Sequence, residues 1–165
     1  MSPKNTYTML PGKLVQIALT QGFSALINLV DLPLVAPYRW CVSSVKGRHY
    51  ARCYGKKRQY MHRLILVTSE VDHRNGDGLD NRRCNLRKAT HRQNMQNSSC
   101  RSHNKSGYKG VVFDESRSLF RATIRVDGKQ RHLGRFPTAD EAARTYDKVA
   151  KAVFGVYARP NFLDS

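Results

Sequence analysis

"VDHRNGDGLDNRRCNLRKATHRQN", residues 71–94, decides how the rest of the chain is read. It sets Asp72 beside His73, then spends Gly76 and Gly78, Asn75, Asn81, Asn85 and Asn94, and five arginines within about twenty positions. A core helix or strand would show apolar residues at a period of 3.6 or 2, and this stretch has almost none. The reading that fits is a short strand, "VDH", entering a Gly-rich loop, with "NLRKAT" returning as a second strand. Thr90 followed by Gln93 has the spacing of a capping box, which predicts a helix over about 91–98.

Aspartate, histidine and asparagine converging on such a unit suit metal-assisted phosphodiester hydrolysis. The reaction needs a water made nucleophilic, a cation on the phosphate and stabilisation of the leaving oxygen. An imidazole that titrates near neutrality can take the water's proton. A carboxylate beside it can hold a hard cation such as Mg²⁺, which prefers oxygen ligands and keeps several waters. Asn94, one turn into the expected helix, can offer a second oxygen. Taken singly the residues have blander explanations: an Asp-His pair is often a surface ion pair, and Asn75, Asn81 and Asn85 are all good turn residues. His62 in "MHRLI" reads as a packing histidine rather than a ligand, and His91 as a solvent or phosphate contact.

Charge supports a polyanionic partner. The 165 residues carry 29 Lys and Arg against 12 Asp and Glu, a net charge of +17 and a pI near 10.2. The basic residues are spread through structured-looking segments instead of forming a tail, which favours nucleic acid over a merely basic surface. Hydrophobic residues make up 40%, so each core must be small. The most apolar N-terminal run, Leu14 to Leu19, is far too short to span a bilayer, so no membrane is expected and a cytoplasmic setting is. Cys41, Cys53, Cys84 and Cys100 contain no C-x-x-C pair, which favours reduced thiols over disulfides or a structural zinc.

Outward from the opening stretch, "KLVQIAL" and "FSALINL" read as strands separated by the turn residues Thr20-Gln21-Gly22. "YRWCVSS" and "RHYARCYG" follow as a hairpin turning at Lys46-Gly47. Trp40 is expected to anchor this small core, with base stacking as the other use of an indole. "MHRLILV" reads as a short helix. On the far side, "SSCRSHNKSG" is polar, small and basic, and reads as a linker. Beyond it come a strand in "YKGVVFD" and a hairpin turning at Asp127-Gly128. A helix opened by the Thr138/Glu141 capping box stops at Gly155. The organisation expected is a β-rich segment at 1–60, a unit at 61–100, a linker at 101–107 and a small domain at 108–162. The fold class is α+β, ending in a three-stranded antiparallel sheet packed on one helix.

Residues 61–98 resemble an HNH endonuclease of the ββα-metal, homing type. His73, Asn85 and Asn94 stand 12 and 9 apart, and "MHRLI" and "DNRRCNLRKAT" match the flanks. The resemblance implies His73 as general base and Asp72 and Asn94 as ligands of Mg²⁺ or Mn²⁺. It implies that Asn85 is the amide that holds the loop and positions the histidine. Asparagine at the third position, where the family's name has histidine, suits hard ions over zinc. Arg82, Arg83, Arg87 and Arg92 are expected to clamp phosphates around the cut.

Residues 108–162 are similar to the APETALA-type (ethylene-response-factor) DNA-binding domain through "YKGV", "LGRF", "TADEAARTYDKVA" and the closing "NF". Alternation in "LFRATIR" puts Phe120, Ala122 and Ile124 on the helix side and Arg121, Thr123 and Arg125 on the open face, with Lys109 and His132 nearby. Such a ribbon can enter a major groove. The function expected is a homing-type endonuclease acting on double-stranded DNA, monomeric and mobile within phage or bacterial genomes. The rival is a DNA-binding regulator that keeps the nuclease scaffold without the activity; an RNA-binding protein is a third reading.

Overall fold

Burial alternates along the first strands. A computed structural model describes residues 5–45, 47–55, 59–100 and 104–162. In it β1 (Tyr7–Leu10), β2 (Leu14–Ala18) and β3 (Ser24–Asn28) form an antiparallel sheet in that order. Val15, Ile17, Ala25 and Ile27 point inward and are at most 1% exposed. The expected turn is present, with Gln21 at φ 60° and Gly22 at φ 74°. β1 goes beyond the expected strands: "YTML" shows no alternation of its own and is held by pairing Tyr7 to Ile17 and Met9 to Val15.

A 3₁₀ turn at Leu29–Asp31 leads into α1 (Leu32–Val35), then β4 (Trp40–Val45) and β5 (Arg48–Cys53) pair as a hairpin. Gly47 takes φ 75° at its turn, while Lys46 lies outside the described residues. Trp40 is 1% exposed and its indole N–H donates to Val35 O at 2.9 Å, so it is a core anchor and not a stacking platform. Next come α2 (Met61–Leu66), the strand pair β6 (Val71–His73) and β7 (Leu86–Lys88), and α3 (His91–Gln96). Met61 and Ile65 of α2, Val71 of β6 and Leu86 of β7 join the same buried cluster as Ile17, Ile27 and Trp40. Each fully buried side chain of this size stabilises by about 1.5–3 kcal/mol. Segments 1–60 and 61–91 therefore share one core.

The second half has its own core. β8 (Val111–Asp114), β9 (Leu119–Val126) and β10 (Lys129–Phe136) form an antiparallel sheet in the order β10-β9-β8. Asp127 and Gly128, both at positive φ (52° and 75°), turn the β9–β10 hairpin as a primed turn requires. α4 (Ala139–Phe154) begins at Thr138, whose side chain accepts from the Glu141 N–H, and ends at Gly155. Its Ala142, Ala143, Tyr146 and Ala150 pack on Val111, Ala122, Ile124 and Val126. Gly110 lets the sheet approach: a Cβ there would lie 2.1 Å from the Tyr146 ring. The closing Asn161 brackets Lys109, accepting from its N–H at 2.6 Å, and is itself held by the buried Asp147.

The chain divides into two compact units, residues 1–91 and 92–165, and the division falls in α3 instead of in the polar stretch 101–107. The physical reason lies in that stretch. Asn104 Nδ2 donates to the carbonyls of Tyr108 and Val111, and the Ser106 hydroxyl donates to Val111 O at 2.8 Å. These residues are tied into the second unit by their own hydrogen bonds; residues 101–103 lie outside the described residues. No helix among the described residues is long and apolar enough to cross a membrane.

Candidate active site and nucleic-acid interface

β6 and β7 are only three residues long, yet every residue of β6 is buried. Pairing places Asp72 opposite Arg87 and His73 opposite Leu86. Arg87 Nε donates to Asp72 Oδ2 at 2.7 Å, and the two side chains are 7% and 8% exposed. His73 Nε2 lies 3.4 Å from Asn81 Oδ1. The His73 ring meets the His62 ring edge to face, centroids 4.8 Å apart, and His62 stacks on Tyr60. Tyr50 of β5 closes the other side of this cluster.

Asn85 clasps the loop between the two strands. Its Oδ1 accepts from Asn75 N at 3.0 Å and its Nδ2 donates to Asp80 O at 2.7 Å, while its backbone carbonyl takes the Arg74 N–H. Asn75 in turn bonds Asp80 Oδ2. The loop also rests on the N-terminal sheet, through Leu26 N to Leu79 O at 2.9 Å and Asn81 N to Leu26 O at 2.8 Å. Gly78 is required for the close approach to β5, since a Cβ would lie 2.4 Å from His49 O and the Tyr50 ring.

The electrostatics follow from this burial. Desolvation pushes the His73 imidazole below its ordinary pKa, against the opposing pull of the Asn81 hydrogen bond and of Asp72, Asp77 and Asp80. His73 is therefore neutral at neutral pH and can accept a proton. Burial, followed by the His73 and Arg63 charges, carries His62 down to about 3. His62 Nδ1 is buried with no hydrogen-bond partner. The packing assignment of His62 thus holds, but what it packs against is the site histidine. Nothing in its sequence context beyond proximity to the motif signals that contact, nor the one from Asn81.

The expected phosphate clamp needs correction. Arg87 is buried against Asp72, so it holds a carboxylate and does not present itself to a phosphate. Arg82 grips both oxygens of Asp80, at 2.8 and 2.7 Å, and that hydrogen bonding keeps the Asp80 carboxyl below its usual range. Arg83 reaches across to the buried Asp31, at 2.7 Å, while half its side chain stays exposed. Asn94 is half-buried on α3, and Arg92, at the start of the second unit, pairs with Asp127. Among the described residues no group of three or more His, Cys, Asp or Glu could hold a metal, and Cys41, Cys53, Cys84 and Cys100 form no disulfide.

On the second unit the open sheet face carries Arg121, Thr123 and Arg125 of β9, with His132 opposite Thr123. Arg121 Nε is buried without a hydrogen-bond partner, while Arg125 is exposed. Lys109 donates its ammonium to Gln96 O. A bulge between His132 and Gly134 shifts the β10 register, bringing Arg135 opposite Arg121 on the same face. Simple alternation from His132 would put Gly134 and Phe136 there, which hides Arg135 from a reading of the sequence. A groove of about 930 Å³ borders this face, lined in part by Lys109, Val112, Thr123, Arg125 and Gln130.

These features define a strongly basic α+β protein of two units, one with a buried Asp-His pair and the other with a basic sheet. Over 153 residues, 87% of its length, the chain is 30% identical to an uncharacterised HNH endonuclease of Acanthamoeba polyphaga mimivirus, covering 78% of that protein. The chain belongs to the HNH endonuclease family. It is also 29% identical over 89 residues, 54% of its length, to a protein of Escherichia phage T7, covering 73% of it. A dehydration-responsive element-binding protein of Arabidopsis thaliana is 57% identical over 35 residues, 21% of this chain and 10% of the plant protein. No family model and no solved structure matches the chain.

Proposed function

We propose that this chain is a homing-type endonuclease that hydrolyses phosphodiester bonds in double-stranded DNA, with His73 as general base and a divalent ion, Mg²⁺ or Mn²⁺. The observation that carries the reading is a buried histidine held neutral beside Asp72, at the mouth of a loop clasped by Asn85. With the proton of His73 on Nε2 toward Asn81 Oδ1, the lone pair lies on Nδ1, where it takes a proton from the attacking water. Asn85 keeps the loop, and with it Asn81 and His73, in place. Asp72 would offer a carboxylate oxygen and Asn94 an amide oxygen, donor types that suit a hard ion. Such an ion would neutralise charge on the phosphate and the leaving oxygen.

In the second unit Arg121, Thr123, Arg125, His132 and Lys109, joined by Arg135, read or grip the duplex. The name of the plant relative, an element-binding protein, supports this use of the sheet. Arg82, Arg83 and Arg92 keep enough exposed surface to contact phosphates while paired. The protein acts as a monomer on phage or bacterial mobile DNA. Nicking of supercoiled plasmid, with and without Mg²⁺, tests the reading; Mg²⁺-dependent nicking is expected. The rival reading, a DNA-binding regulator without activity, draws on one observation, the occupation of Asp72 by Arg87, and wins if DNA is bound but never cut.

A further inference from the structure

The carboxylate assigned to the metal already has a cation. Arg87 sits directly across the strand pair from Asp72, and its Nε and Nη2 both contact Asp72 Oδ2, at 2.7 and 2.5 Å. Both side chains are more than nine-tenths buried, so water screens the pair little. A surface arginine would swing aside at little cost. This one is fixed by the β6–β7 register and by a core that includes its strand neighbour Leu86.

We infer that Arg87 is the resident counter-ion of Asp72 and sets the divalent-metal affinity of the site. The inference rests on the proposed role of Asp72 as a metal ligand. Asp72 buried alone would be a costly unpaired anion, so the folded protein needs a positive charge beside it whether or not a metal is bound. Arg87 supplies that charge permanently. An arriving ion of charge +2 then meets a carboxylate whose charge is cancelled, and a guanidinium that repels it. The affinity is thereby held down, and the fold of the site is made independent of metal. Arg87 is a positioning residue: it acts through Asp72.

The test uses the full-length, DNA-free chain and Mn²⁺ alone as the probe, with binding followed by the electron paramagnetic resonance of free Mn²⁺. Thermal melting in EDTA and in Mn²⁺ runs beside it. Wild type, Arg87→Gln, Arg87→Lys and Asp72→Asn are compared. Arg87→Gln should bind Mn²⁺ on the order of ten- to a hundredfold more tightly, since a nearby positive charge is gone. Its melting temperature should fall in EDTA and recover in Mn²⁺ by more than wild type gains, because the ion replaces the missing charge. Arg87→Lys, which keeps the charge, should stay within about threefold of wild type. Asp72→Asn, alone and combined with Arg87→Gln, should abolish binding. Wild-type binding that disappears in Asp72→Asn but is unchanged or weaker in Arg87→Gln overturns this inference and leaves the metal role of Asp72 standing. Absence of Mn²⁺ binding in every variant overturns both. Should Arg87→Gln stay unfolded even in Mn²⁺, the ion does not stand in for the guanidinium and the inference falls.

Discussion

Arginines are put to opposite uses in the two units. In the first, Arg82, Arg83 and Arg87 each hold a carboxylate of their own chain, namely Asp80, Asp31 and Asp72. In the second, Arg125 lies exposed on an open sheet face and Arg121 keeps a buried Nε with no hydrogen-bond partner. Arg82, Arg83 and Arg87 fix a polar interior, whereas Arg121 and Arg125 face the open sheet. The other arginines of the second unit are not all so placed, since Arg92 pairs with Asp127, and Arg117 and Arg135 with Asp114. A net charge of +17 says nothing about which use a given arginine serves; only the pairing does.

The sharpest way to break this contrast is at its chemical centre. His73→Ala should lower the cleavage rate by ~10²–10⁴-fold with duplex affinity nearly unchanged, as for loss of a general base. Single-turnover cleavage and gel shift, run on the same preparation, separate the two. Equal cleavage removes His73 from the mechanism. The pH profile sharpens the same point. Burial lowers the His73 pKa from 6.5, so the neutral, proton-accepting form persists as the pH falls past 6.5 and the acid limb of the rate profile lies below that value. An acid limb above 6.5 contradicts the buried environment.

Next in size is the open face. Replacing Arg121 and Arg125 together by Ala should weaken duplex binding on the order of ten- to a hundredfold. The salt slope should flatten by ~0.9 for each phosphate that is no longer neutralised. Melting temperature should hardly change. The matching change in the first unit, Arg83→Ala, should act chiefly on stability, beyond the loss of any one phosphate contact. It strands Asp31, which is 1% exposed, and should cost about 1–3 kcal/mol of stability in a denaturant titration. If Arg83→Ala instead weakens DNA binding at unchanged stability, the contrast between the units is wrong.

The smallest effect concerns His62. The unfolded chain takes up this proton near pH 6.5 and the folded one only near 3, so unfolding gains a proton between those values. The contribution of a neutral His62 is intact above pH 6.5 and is lost as the pH falls toward 3. His62→Phe, which keeps a ring against His73 and Tyr60, should melt with a shallower decline through that window. A parallel decline would mean that other groups govern acid unfolding.

How much of this could be read from residues alone varies with the physics involved. Alternation revealed β2, β3 and β9, and capping and turn residues revealed α4 and the Asp127-Gly128 hairpin, because those signals are local. β1 escaped because its strand character comes from its partner. Arg135 escaped because the bulge at Leu133 breaks the alternation that would have placed it. The candidate site was proposed from residue types, since Asp72, His73 and Asn85 stand in a recognisable order. Their partners were not: that Arg87 closes on Asp72, and Arg83 on Asp31 some 52 positions away, is decided by register and burial. Nor did the apparent break near residue 60 reveal that both sides share one core.

That shared core bears on how the site can be moved between proteins. The loop of residues 77–83 hangs from β3 by two backbone hydrogen bonds at Leu26 and by Arg83 N to Asn28 Oδ1, and from the 3₁₀ turn that follows by the Arg83–Asp31 pair. A graft cut at residue 61 would carry the nuclease motif and leave behind the shelf that shapes it. The smallest transplantable cassette must instead include the whole first unit, and insertions that evolution or an engineer makes near residue 60 must preserve the shelf at Leu26 and Asn28.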